Sequence, residues 1–136
     1  MRRIADAILP HAVGAVFLAG ALLNGTASAS TWAEYVAWGY PHWFPYVTAC
    51  LEVGAATLLF VPRTRLVGAA LGAAIMVAAL ATLIRVGDYG HGTAPAVLIL
   101  FCALTGWRAT IRGKEERAKA GPDDRRSGNP WAGDEV

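Results

Sequence analysis

Charge is what this chain has least of. Only 16% of its 136 residues are Asp, Glu, Lys or Arg, against about a quarter in soluble domains, and long stretches carry almost none. With 55% hydrophobic residues, that deficit excludes an ordinary soluble domain and indicates an integral membrane protein. Histidine is also scarce: His11, His42 and His91 are too scattered to argue for a metal site. Cysteine stops at Cys50 and Cys102, with no C-x-x-C, so neither a thioredoxin-like motif nor a zinc site is supported. Both lie in apolar runs and read as packing residues. If their helices are antiparallel neighbours, both fall at mid-depth and a redox pair stays open. No nucleophile–base motif, phosphate loop or haem-attachment sequence is present. In the C-terminal tail, acids match the basic residues in number, which is no nucleic-acid footprint.

What the chain does have is long apolar runs. Residues 4–23, 43–61, 66–86 and 93–111 each approach the roughly 20 residues that cross a 30 Å hydrocarbon core. The last is the weakest, because only 94–106 is purely apolar; Trp107 suits the interface and Arg108 can snorkel to extend the span. Arg2 and Arg3 precede the first run, Arg63 and Arg65 fill the turn after the second, and Arg108, Arg112, Lys114, Arg117 and Lys119 follow the fourth. Residues 24–42 contain no Lys or Arg. The positive-inside rule then places both termini and the 62–65 turn in the cytoplasm, with two loops facing outward. A competing reading takes Met1-Arg2-Arg3, the apolar stretch 12–23 and Ala27-Ser28-Ala29 as a cleaved signal peptide. Asp6, Pro10 and His11 interrupt that pattern, so an uncleaved first span is expected.

Between the first two spans, 31–38 reads as a short helix on the outer interface, capped by Thr31, with Trp32, Tyr35 and Trp38 at headgroup depth. Gly39-Tyr40-Pro41 breaks it. Beyond Arg112 the chain turns polar. Two further helical turns are expected to Lys119, and 121–136, rich in Gly, Pro and charge, is expected to be disordered. Helices in lipid associate through small residues. Gly68 and Gly72 form a G-x-x-x-G in the third span, Gly54, Ala55 and Ala56 lie in the second, and Gly14 and Gly20 in the first. Packing inside one bundle is expected of them before a dimer face.

One residue breaks the apolar rule. Glu52 lies inside the second span, where a carboxylate costs about 2.5–3.5 kcal/mol on insertion scales unless it is protonated, paired or facing a wet cavity. Asn24, Glu34, His42, Arg85, Asp88 and His91 all fall toward the same, outer end. One reading is an outward-opening pocket. Glu52, Arg85, Asp88 and His42 are then the candidate acid/base residues, and Asn24, Trp38, Tyr40, Trp43 and His91 the candidate ligand-binding residues. The aromatic residues would wall in a flat lipophile such as a quinone. The plainer reading makes Glu52 a structural acid hydrogen-bonded to a neighbouring helix, and the aromatics an interfacial belt.

Gly39-Tyr40-Pro41, then Leu51-Glu52-Val53-Gly54-Ala55, then Leu58-Leu59-Phe60-Val61-Pro62-Arg63, then Gly68-Ala69-Ala70-Leu71 and Arg85-Val86-Gly87-Asp88 occur in an order and spacing that resembles the DoxX-like family. These are small four-helix membrane proteins found mainly in bacteria. The resemblance covers residues 15–107 and implies redox-associated relatives, some linked to thiosulfate:quinone oxidoreduction, others to membrane complexes that handle thiol and oxidative stress. The chain thus reads as an all-α, up-down four-helix membrane bundle over 1–111, with a short outer interfacial helix and a polar, mostly disordered cytoplasmic tail over 112–136. Its expected setting is the inner membrane, as a redox-associated subunit with a lipophile near Glu52, a redox protein partner, and self-association left open. The alternative is a small membrane enzyme (isomerase, cyclase or quinone-linked oxidoreductase) that uses Glu52 with Arg85 or a histidine.

Overall fold

The structure is a computed structural model that describes residues 2–119, with side chains from Ile8 onward. The disorder expected over 121–136 lies outside the described residues. Every regular element among the described residues is a helix: α1 (Arg2–Thr26), α2 (Ala29–Ala37), α3 (Phe44–Phe60), α4 (Arg65–Val86) and α5 (Thr93–Lys119). α5 carries the fourth apolar run and continues without a break through the polar stretch to Lys119.

Three helices, α1 from Ile8, α4 and α5, are long and apolar enough to cross a membrane. The fourth expected span is shorter than its apolar run. α3 has 17 residues, rising about 25 Å at 1.5 Å per residue, a little less than the roughly 30 Å hydrocarbon core. Proline sets both limits. Pro45 fits the first turn of α3, where its missing N–H has no partner to lose. At the other end Val61 is extended, the conformation that a following Pro62 imposes.

α1 packs on α3, α3 on α4, α4 on α5, and a narrower α1–α5 contact closes the ring. The short 61–64 turn makes α3 and α4 antiparallel neighbours. α2 lies against α3 at the opposite end. Its cap differs from the expected one: Ser28 Oγ accepts from the Thr31 N–H at 3.3 Å, so the helix opens at Ala29. The turn from α1 is tight enough to hold Ala27 at φ +43°, a left-handed conformation costing an Ala about 1–2 kcal/mol. Gly39, at φ +85°, ends α2 as expected, and Gly87, at φ +76°, caps α4 while the Asp88 N–H reaches back to the Leu83 carbonyl.

The core is built from small residues and a few large ones. Val13 and Phe17 of α1, Ala55, Ala56 and Leu59 of α3, Ala69, Ile75 and Met76 of α4 and Cys102 of α5 form one buried cluster. Outside it the surface stays apolar, with Leu22, Leu23 and Leu100 each about two-thirds exposed. Helices that are apolar on every face belong in lipid. The small residues of α4 serve packing within the chain. A Cβ on Gly68 would lie 2.8 Å from the Leu59 nitrogen, and one on Gly72 would lie 2.7 Å from the Phe17 ring. Cys102 is buried and Cys50 exposed, and both are free thiols.

Candidate functional site

Glu52 is buried at 5% exposure in the α1–α3 interface. What lets it fit is glycine: a Cβ on Gly20 would stand 2.8 Å from Glu52 Oε1. One turn along the same face of α1, Asn24 Nδ2 donates to Glu52 Oε2 at 2.9 Å. The Asn24 amide is itself fixed, because the Tyr35 hydroxyl donates to its Oδ1 at 3.0 Å. A polar chain thus runs from Tyr35 on α2 through Asn24 at the end of α1 to Glu52 within α3. It ties three helices together at the end where the short helix lies. A hydrogen bond in such a setting strengthens as solvent is excluded, and leaving either partner unmade is expensive.

Above this chain sits an aromatic layer. The Tyr40 and Phe44 rings stack, with centroids 4.2 Å apart, and Tyr35 packs against Trp38, Tyr40 and Phe44. Tyr40 is anchored from the far side, its hydroxyl 2.7 Å from the hydroxyl of Thr82 on α4. Thr82 in turn donates to the Ala78 carbonyl. Burial raises the Tyr35 phenol above its ordinary value of 10.0, with Thr48 offsetting part of the effect and the neighbouring Glu52 adding to it. Above pH 10 the unfolded chain sheds this proton while the folded chain keeps it. Tyr35 therefore contributes stability at lower pH that is lost as pH rises through the raised value. Melting temperatures measured between pH 8 and about 11 should fall more steeply for the wild type than for Tyr35→Phe.

Of the residues that the sequence singles out, the structure joins Glu52 to Asn24 and gathers Trp38 and Tyr40 into the aromatic layer. The other charged groups are engaged elsewhere. Arg85 is exposed and donates to the Trp38 carbonyl at 3.0 Å, bracing the end of α2. Asp88 pairs with His91 at 2.8 Å in the α4–α5 loop. His42 is exposed and meets Trp32 edge-on, and Trp43 stands exposed beside Phe44. Tyr35 and Gly20 are the members that sequence reasoning missed. Tyr35 reads as one more belt aromatic, and Gly20 as one more packing glycine; the spacing of Gly20 and Asn24, four apart and so on one helix face, is the signal that could have marked Gly20. Among the described residues no cluster of His, Cys, Asp and Glu could hold a metal.

Two cavities stand out, and neither is lined by Glu52. A groove of about 420 Å³ between α1 and α5 is lined by apolar residues, including Val13, Val16, Val97 and Phe101. A cleft of about 910 Å³ lies at the other end of the bundle, between the α3–α4 turn and α5.

A helical bundle with an apolar exterior, a buried hydrogen-bonded acid and an aromatic layer at one end defines a small polytopic membrane protein. The chain belongs to the DoxX-like family, whose model matches residues 8–105, well over half of its length. No curated protein and no solved structure matches it.

Proposed function

We propose that this chain is a non-enzymatic four-span subunit of the inner membrane, redox-associated, with both termini cytoplasmic. In this reading α3 serves as the fourth span, with the aromatic residues flanking it at headgroup depth. Glu52, Asn24 and Tyr35 hold the outer half of the bundle in one shape, so that the aromatic layer presents a rigid wall to a flat lipophile such as a quinone. The observation that carries the proposal is the Tyr35–Asn24–Glu52 chain, which links the buried acid to that layer within one molecule. The enzyme reading asks Glu52 to work with Arg85 or a histidine, whereas Arg85 donates to the Trp38 carbonyl, His91 pairs with Asp88 and His42 packs on Trp32.

The test is native mass spectrometry of gently extracted wild-type protein and Glu52→Gln, with co-purifying small molecules identified. Glutamine is close to glutamate in size, so the variant should remain folded, while exchanging one acceptor oxygen for an amide donor weakens the tie to Asn24 that holds the aromatic layer in place. A lipophile retained by the wild type and lost from the folded variant supports the reading. An empty, stable bundle in both leaves a scaffold for a redox protein partner, and redox turnover abolished by the same substitution replaces the subunit with an enzyme.

A further inference from the structure

The cleft at the end opposite α2 has a composition that topology alone does not require. Arg63 reaches it from the α3–α4 turn, Arg65 from the start of α4, and Arg108, Arg112, Lys114 and Arg117 from α5; among the described residues Glu116 is the one acid on its lining. The positive-inside rule accounts for the presence of these cations but not for their convergence on one hollow. Arg65 is buried there, at 9% exposure. Its Nε is committed to the Leu59 carbonyl at 3.2 Å, so its terminal amino groups are what it has to offer an acceptor. Arg112 lies within electrostatic reach of it. Like charges gathered round a half-closed space repel one another and favour a multivalent anion among them. The turn that supplies Arg63 and leads into Arg65 is held in shape, with Thr64 Oγ1 donating to the Leu58 carbonyl at 2.8 Å.

The rest of the lining narrows the class of anion. Leu9, Pro10, Pro62 and Leu66 give the cleft apolar walls, and Trp107, strongly exposed on α5 beside it, suits headgroup depth. We propose that this cleft binds a phosphate group, and that the phosphate is the headgroup of an anionic phospholipid whose chains run down the apolar face of the bundle. Guanidinium groups match phosphate oxygens two donors at a time, and basic pockets between helices at this depth are a recurrent way to hold such lipids.

Full-length protein is placed in detergent with equimolar dioleoylphosphatidylglycerol and dioleoylphosphatidylcholine, and bound lipid is counted by native mass spectrometry. Arg112→Gln and Lys119→Gln remove one exposed charge each, from the cleft and from outside it, and circular dichroism confirms that both variants are folded. A second arm adds inorganic pyrophosphate, with and without lipid. The wild type should retain the anionic lipid preferentially, Arg112→Gln should lower that retention about fivefold, and Lys119→Gln should leave it unchanged. Failure of pyrophosphate to displace the lipid assigns the phosphate to a headgroup. Displacement, with binding to the lipid-free protein that depends on Arg112, keeps the phosphate site but makes its source soluble. Equal retention of both lipids without pyrophosphate binding, or equal effects of the two substitutions, overturns the proposal.

Discussion

Asn24→Leu should destabilise the bundle by about 2–3 kcal/mol, because it strands a buried polar group rather than merely deleting a contact. Asn24 is the donor to Glu52 and the acceptor from Tyr35, so its loss leaves the carboxyl enclosed by α1 and α3 without that partner. An isolated buried acid costs more than a missing hydrogen bond between two apolar replacements. The double variant Asn24→Leu, Glu52→Leu removes both members and should recover a large part of the loss. Unfolding of the four proteins of this cycle in mild detergent gives the coupling directly. A coupling near zero would mean that Glu52 does not depend on Asn24, and the Tyr35–Asn24–Glu52 chain could not be what holds this end of the bundle.

How much of this was legible in the sequence follows from the range of each signal. Hydropathy and the cost of a buried carboxylate are local, and they located the helices and selected Glu52 before any packing was known. Helix ends were legible where a residue has one conformational use: Gly39 and Gly87 stop their helices at positive φ, and Pro62 ends α3. The cap of α2 was not, because Ser28 and Thr31 are both competent and only the tight turn at Ala27 decides between them. Partner choice was the least legible. Arg85 and Asn24 both lie toward the end of the bundle that Glu52 faces. Asn24 meets it because Gly20, one turn away, allows α1 to approach, whereas Arg85 finds the carbonyl that ends α2. Side-chain type alone carries no information about that approach. The cations of the large cleft were legible as topology, and their convergence needed the packing that brings α5 and the α3–α4 turn to one cleft.

Gly68→Ala should be the most damaging single-methyl change in the molecule. The added carbon would lie 2.8 Å from the Leu59 nitrogen and 2.9 Å from both the carbonyl carbon and Cβ of Leu58. Two of those three atoms are backbone, so no rotamer change relieves the contact and α3 must move away from α4. Separating them loosens the layer formed by Leu59 and Ala69, both of which are buried in the core. Overpacking of this kind costs about 1–3 kcal/mol. The better helix propensity of alanine, about 1 kcal/mol at most, returns part of it. Gly54→Ala is the matched control, since its Cβ would meet only Leu71 Cδ2 at 3.9 Å, an ordinary contact. With propensity gained and nothing displaced, its stability should equal or exceed that of the wild type. Thermal unfolding in detergent should therefore move the two glycine variants in opposite directions, or leave Gly54→Ala unmoved while Gly68→Ala falls. A Gly68→Ala protein that melts with the wild type would mean that α3 and α4 are farther apart than the packing of Leu58 and Leu59 against Gly68 requires.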